Sequence, residues 1–75
     1  MQGMSVPSLT PREREILAAV TSGATNRAIA QQYGIKEQAV KNYLTAIYQK
    51  VGVNNRVALT VMALQRRLID EKHHG

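Results

Sequence analysis

The sequence contains no cysteine, so neither a disulfide nor a thiolate metal site can stabilise the fold. This absence fits a reducing cytoplasm, where we expect the protein to act. No apolar run approaches the ~20 residues that a transmembrane helix needs, and we therefore expect no membrane span. Residues 1–8 have neither the charged nor the apolar region of a signal peptide. A small chain of this kind depends on well-packed helices or on a partner.

Residues that carry chemistry are also scarce. The only histidines, His73 and His74, are adjacent near the C-terminus and lack metal-ligating partners. Glu13 and Glu15 lie two residues apart on a predicted helix, so their carboxylates point in different directions. The glycines are scattered and form no phosphate-binding loop. We therefore expect no enzyme activity, no metal and no cofactor.

Acidic residues are few as well: ten Lys and Arg stand against five Asp and Glu, which gives a net charge of +5 on 75 residues. A basic excess of this size suggests a polyanionic partner, although small basic proteins with no such partner are common. The length allows one small domain.

Residues 35–51 read as an amphipathic helix. An apolar stripe recurs at spacings of three and four and is formed by Val40, Leu44, Ile47, Tyr48 and Val51. The opposite stripe has no acid and consists of Gln38, Lys41, Asn42, Thr45 and Gln49. An ordinary solvated face mixes both signs of charge, whereas this one offers groups of the kind that bind base edges.

Capping signals place the other helices. Thr10, Pro11 and Glu13 form a capping box with proline at the first helical position, and Thr25 is the predicted cap of a short second helix. Gly34 can end that helix, and the following short turn leads to the amphipathic helix, which is the helix-turn-helix pattern. The sequence thus predicts an all-α fold with four helices, at about 11–22, 26–33, 37–51 and 56–69.

The fourth predicted helix, which Asn55 can cap, carries more apolar residues than one buried stripe needs. Its surplus stripe consists of Val57, Val61, Leu64 and Leu68. Uncovered apolar area marks an interface, either with a second copy of the chain or with a domain outside this sequence. We expect residues 1–8 to be a tail or linker, 9–69 the domain and 70–75 a polar tail.

Several segments, in order and without gaps, resemble the DNA-binding domain of the LuxR/FixJ, or NarL-type, transcription regulators. LTPREREIL at 9–17 is close to the most recognisable segment of that family, and GATNRAIA at 23–30 is similar to its GLSNKEIA segment. Residues 35–44 resemble the start of its recognition helix. YQKVGVNNR at 48–56 is similar to its RKLGVSNR segment.

The resemblance implies a four-helix domain that binds a DNA half-site as a dimer, through a self-associating fourth helix. It implies base contacts by Lys41, Asn42 and Thr45, which lie on the acid-free stripe. It implies phosphate contacts near Thr25, Asn26, Lys36, Gln38, Tyr43 and Lys50. It also implies either the output domain of a two-component response regulator, with a receiver domain in a longer chain, or a stand-alone regulator.

The chain departs from the family pattern at four positions. Lys36 stands where a Ser or Thr cap is frequent, and Ala39 stands where a phosphate-binding Thr is common. Tyr43 replaces a frequent His, and Ala28 replaces the usual Glu. Without the hydroxyl at position 39, one expected DNA-backbone contact is lost.

Two alternatives stay open at this point. One is a domain like sigma-factor region 4, which binds promoter DNA and RNA polymerase without a self-complementary fourth helix. The other is a helical protein-interaction module that never binds DNA. For Arg56 we favour a structural role, as an ion-pair partner of Glu13 or Glu15, over a DNA contact.

Overall fold

The computed structural model describes residues 9–66, which form four α-helices and no strand. These are α1 (Pro11–Thr21), α2 (Asn26–Tyr33), α3 (Glu37–Val51) and α4 (Arg56–Arg66). The predicted all-α class is confirmed, and α2 and α3 begin and end where the sequence predicts. The expected extension of α4 to residue 69, Leu68 in its apolar stripe, and both tails lie outside the described residues.

Side-chain caps explain where three of the helices begin. Thr10 Oγ1 accepts a hydrogen bond from the backbone N–H of Glu13 at 3.1 Å, and Glu13 Oε1 accepts from the backbone N–H of Thr10 at 2.9 Å. This reciprocal pair is the predicted capping box of α1. At the start of α2, Thr25 Oγ1 accepts a hydrogen bond from the backbone N–H of Ala28 at 3.1 Å. At the start of α4, Asn55 Oδ1 accepts one from the backbone N–H of Ala58 at 2.8 Å.

Gly34 makes the short turn between α2 and α3 possible. Its φ of 66° lies in the left-handed region, which side chains other than glycine adopt only with strain. The N–H of Ile35 then donates to the carbonyl of Ala30 at 2.9 Å and closes the end of α2. Only Ile35 and Lys36 remain before α3 begins, so the relative orientation of these two helices is tightly restricted.

Helix α1 lies at the centre of the core. It packs against each of the other three helices, while α2 also packs against α3. The largest fully buried side chains come from all four helices and are Ile16, Leu17, Ile29, Val40, Ile47 and Leu59. Helix α3 has the clearest amphipathic pattern in the sequence, but α1 is the helix that contacts all the others.

Glu13 is the only charged residue among the buried residues of the described chain, with 6% of its surface exposed. Besides capping α1, its Oε1 accepts a hydrogen bond from Lys50 Nζ at 2.8 Å. Lys50 lies in the last turn of α3, so this ion pair joins the end of α3 to the beginning of α1. The hydrogen bond from Lys50, followed by those from Thr10, lowers the pKa of Glu13 although burial opposes the shift.

We expect Glu13→Gln to lower the free energy of unfolding at neutral pH by about 1–2 kcal/mol, because a charge-assisted hydrogen bond is lost while the side-chain shape stays. The pKa of Glu13 is lower in the folded chain, so the unfolded chain binds more protons near pH 4. The contribution of the carboxylate is therefore complete above its ordinary pKa of 4.5 and disappears as pH falls through the folded value. Urea unfolding of both proteins across pH 3–7 measures this difference.

Glu15→Gln is the matched control, since Glu15 has a half-exposed side chain that pairs with Arg12 at 3.5 Å. An exposed pair of this kind contributes little, and we expect a change of less than about 0.5 kcal/mol. Equal effects of the two substitutions, or a Glu13→Gln effect that persists unchanged at pH 3, would contradict the assigned role of the ion pair.

Candidate nucleic-acid interface

The acid-free stripe of α3 faces away from the core. Its predicted base-contacting members Lys41, Asn42 and Thr45 are exposed, and so is Gln38 one turn earlier. The opposite side of the helix is buried through Val40, Leu44 and Ile47. The structure thus brings all three predicted base-contacting residues and Gln38 onto one uncovered surface, which we call the reading face.

Hydrogen bonds within the reading face restrict what its side chains can offer. Gln38 Nε2 donates to Asn42 Oδ1 at 3.1 Å, which leaves both N–H groups of the Asn42 amide available as donors. Thr45 Oγ1 donates to the backbone carbonyl of Lys41 at 3.0 Å. With its hydroxyl hydrogen used inside the helix, Thr45 presents a methyl group, which suits apolar contact with a thymine methyl.

The first turn of α3 has no side-chain cap. Lys36 occupies the N-cap position, but its side chain makes no capping hydrogen bond and is exposed. The N-terminal N–H groups of a helix and its dipole together attract anions, and a cation at the cap adds to that attraction. The departure from the usual Ser or Thr at this position therefore weakens the helix start and strengthens its pull on a phosphate.

The start of α2 holds two further residues of the predicted phosphate set. Thr25 is exposed and caps the helix, while Asn26 is half-buried. The Asn26 side chain is anchored, because its Oδ1 accepts a hydrogen bond from Arg56 Nη1 at 2.7 Å. No acidic residue occupies this first turn, so an approaching anion meets no repulsion there from the helix itself.

The partners expected for Arg56 were wrong, although its structural role is confirmed. The guanidinium does not pair with Glu13 or Glu15. Instead, Nη2 donates to the carbonyl of Ala24 at 2.6 Å, beside the bond to Asn26. Glu13 is already occupied by Lys50, and Arg56 lies at the other end of α1, next to the loop that leads into α2.

Lys50 and Tyr43 are less free than an ideal phosphate contact. The ammonium of Lys50 is committed to Glu13, and its side chain is 36% exposed. Tyr43 is half-buried against the core and lines an open groove of about 400 Å³ with Glu13, Ala39, Asn42 and Ala46. Ala39 contributes only a methyl group to this groove. The phosphate contacts of Lys50 and Tyr43 stay predictions, and both residues also have packing roles.

One cation at the start of α2, Arg27, was not predicted from the sequence as a contact residue. Arg27 is exposed in the first turn of α2 and makes no hydrogen bond or ion pair within residues 9–66. A positive side chain at a helix N-terminus is unfavourable unless an anion joins it. The signal available in the sequence was a cation two residues after the Thr25 cap, with no acid in the same helical turn.

The surplus apolar stripe of α4 is uncovered, as predicted. Val57 is 73% exposed, Val61 46% and Leu64 57%, whereas Leu59 and Ala63 on the same helix are fully buried. Helix α4 therefore has one face on the core and a second apolar face on the surface. The exposed part, Val57, Val61 and Leu64, is called the α4 stripe below.

The described residues offer neither a metal-binding cluster nor a membrane-spanning helix. Between residues 9 and 66, no cluster of three or more His, Cys, Asp or Glu side chains could hold a metal ion. None of the helices in that range is long and apolar enough to cross a membrane.

A short helix, a glycine turn and a longer helix with an uncovered polar face define a helix-turn-helix domain. The family model described as "Bacterial regulatory proteins, luxR family" matches residues 7–63. The chain belongs to this family, which is a family of transcription regulators and not an enzyme class. The family identified from the sequence is thereby confirmed.

Three similar proteins illustrate the relationship. The probable transcriptional regulatory protein SgaR of Hyphomicrobium methylovorum is 53% identical over 49 residues, which cover 65% of this chain and 23% of SgaR. The crystal structure of the response regulator ChrA, from a heme-sensing two-component system, matches with a TM-score of 0.79 and 45% identity over 83% of this chain and 31% of that one. The Vibrio cholera VqmA–ligand–DNA complex matches with a TM-score of 0.80 and 28% identity over 91% of this chain and 30% of that one. The chain spans less than a third of the length of each.

The uncapped start of α3 generates a stability prediction. Lys36→Ser should raise the free energy of unfolding by about 0.5–1 kcal/mol, because a hydroxyl can accept from the free N–H groups of the first turn. Thr25→Ala, which removes an existing cap from α2, should lower it by about 1 kcal/mol. Thermal and urea unfolding of both variants measure these changes. A Lys36→Ser protein no more stable than the parent would show that the first turn of α3 is already satisfied.

Proposed function

We propose that this domain binds double-stranded DNA in a sequence-specific manner, with α3 in the major groove, and regulates transcription. The observation that carries the proposal is the reading face, which is exposed and free of acidic residues and lies opposite the buried residues Val40, Leu44 and Ile47. The major groove admits an α-helix, and its base edges accept and donate hydrogen bonds to side chains of this kind. Similarity to VqmA, whose structure was solved with DNA, supports the same partner.

In this proposal each side chain of the reading face contacts the base that suits its chemistry. The exposed ammonium of Lys41 donates to guanine O6 and N7. The Asn42 amide can bind adenine, since its two N–H groups are unused and Oδ1 has a second lone pair beside the bond from Gln38. Thr45 contacts a thymine methyl. Gln38 lies at the edge of the face, where it can reach the DNA backbone.

Around the reading face, the proposed phosphate contacts come from two helix starts. Thr25 and Asn26 lie at the beginning of α2 and Lys36 at the beginning of α3, and Arg27 joins the set predicted from sequence. Tyr43 and Lys50 complete it. Contacts of this kind position the domain and supply salt-dependent affinity, but they do not read sequence.

We further propose that the α4 stripe, with Leu68, joins two copies of the domain on a two-fold symmetric site. Three exposed aliphatic side chains make a small interface, which fits association only on DNA. Two linked copies bind two half-sites with a large gain in effective concentration. This stripe favours the dimer over a domain like sigma-factor region 4, which needs no such surface.

The similarity to ChrA supports placing this domain at the output end of a two-component response regulator in the bacterial cytoplasm. In such a chain a receiver domain precedes the helix-turn-helix domain and can cover the α4 stripe until a signal releases it. RNA polymerase is then a further partner at the promoter.

Selection of bound duplexes from a random library should yield one preferred sequence. Affinity for that duplex should fall with salt, with a slope of about −0.9 in log K against log salt for each phosphate neutralised. Failure to enrich any sequence would contradict the proposal.

Lys41→Ala should lower affinity for the selected duplex by about 1–3 kcal/mol and relax specificity at one base pair. Arg27→Ala should weaken binding to all duplexes alike and reduce the salt slope by about 1. Because each change removes one exposed cation, the pair separates base reading from phosphate contact. An unchanged sequence preference in Lys41→Ala would refute the proposed register of α3.

Val61→Glu should lower affinity for a duplex with two half-sites while leaving binding to a single half-site within about twofold, because a charge on the α4 stripe opposes association but not DNA contact. Gln65→Glu, at an exposed position of the same helix, adds the same charge beside the stripe and is the control. Equal losses on one and two half-sites would exclude the stripe as the dimer surface.

A further inference from the structure

Arg56 is the first residue of α4 and binds two acceptors that belong to the start of α2. Nη1 donates to Asn26 Oδ1 at 2.7 Å, and Nη2 donates to the Ala24 carbonyl at 2.6 Å. The residue is half-buried, and both hydrogen bonds are partly shielded from water. A guanidinium is a planar fork of donors, so two bonds to two different acceptors fix its position.

The chemistry of these groups settles the orientation of the Asn26 amide. A guanidinium can only donate, so the atom that faces Arg56 must be the carbonyl oxygen of the amide and not its nitrogen. The nitrogen, with two N–H donors, is thereby held at the opposite edge of the planar amide group. Asn26 is the first residue of α2 and follows the exposed cap Thr25, where a helix dipole favours an anion.

Resting on the proposed DNA binding, we infer that Arg56 is a positioning residue that aims the N–H groups of Asn26 at a DNA phosphate. A free Asn side chain rotates and offers oxygen or nitrogen to an approaching anion. Here the oxygen, which would repel phosphate, is occupied before DNA arrives. Arg56 itself contacts no DNA in this account, although its bond to Ala24 also fixes the loop that leads into Thr25.

A double-mutant cycle on DNA affinity tests the inference, with the duplex selected by the parent chain as probe. Arg56→Met keeps the aliphatic stem and removes both donors, and Asn26→Ala removes the amide. We expect each to lower affinity about ten- to hundredfold, as for the loss of one hydrogen bond to a charged group. We expect the double variant to match Asn26→Ala within about twofold, because the two residues act through one contact.

Arg56→Lys is the charge-retaining variant. A single ammonium cannot reproduce the fork that bridges Asn26 and Ala24, so we expect a loss close to that of Arg56→Met even though the net charge is unchanged. Arg66→Met controls for loss of a cation elsewhere on α4, where Arg66 is exposed. It should change affinity by the same small factor whether residue 26 is Asn or Ala.

Two further measures separate the proposed positioning role of Arg56 from a general loss of stability. Each variant is measured well below its melting temperature, and the side-chain amide resonances of Asn26 are followed by NMR without DNA. They should shift in Arg56→Met and not in Arg66→Met. Additive losses of Arg56→Met and Asn26→Ala would overturn the inference while leaving the proposed function intact. Absence of any selected duplex for the parent chain would overturn the proposed function, and this inference with it.

Discussion

The buried carboxylate of Glu13 is the contact on which the arrangement of this domain depends. It completes the capping box with Thr10, so α1 begins at a fixed residue. It also accepts a hydrogen bond from the ammonium of Lys50, which links the C-terminal end of α3 to the start of α1. Because α1 packs against every other helix, an error in its start would move the whole core. Together with the short turn at Gly34 and the buried side of α3, this acidic side chain fixes the orientation of the reading face.

A second polar contact also links the ends of two helices, at the other end of α1. Arg56 joins the beginning of α4 to the loop and first residue of α2. The two contacts differ in kind, since one is an ion pair with a buried acid and the other joins a cation to two neutral oxygens. In a chain without cysteine, such links between helix ends specify geometry that a thin apolar core leaves loosely defined.

Local signals made most of the fold predictable from the sequence. The caps Thr10, Thr25 and Asn55 and the left-handed Gly34 act within a few residues, so three helices begin after the predicted caps and α2 ends at the predicted glycine. The partners of Arg56 and Lys50 could not be predicted in this way, because each pair joins residues 30 or more positions apart and depends on how the helices pack. The polar stripe of α3 was predictable from periodicity alone, whereas its internal bonds depend on rotamers. Arg27 was overlooked because a lone surface cation has no periodic signal.

The separation of the two sides of α3 has a consequence for how such domains diversify. Lys41, Asn42 and Thr45 have no partner in the core, and the hydrogen bonds of the reading face stay within α3 itself. Substitutions there are therefore almost invisible to folding, while those at Val40, Leu44 or Ile47 are not. Under the base contacts proposed above, gene duplicates can acquire new target sites through substitutions at three or four surface positions without passing through an unstable intermediate. The same independence makes this helix a convenient place to redesign DNA specificity on an unchanged scaffold.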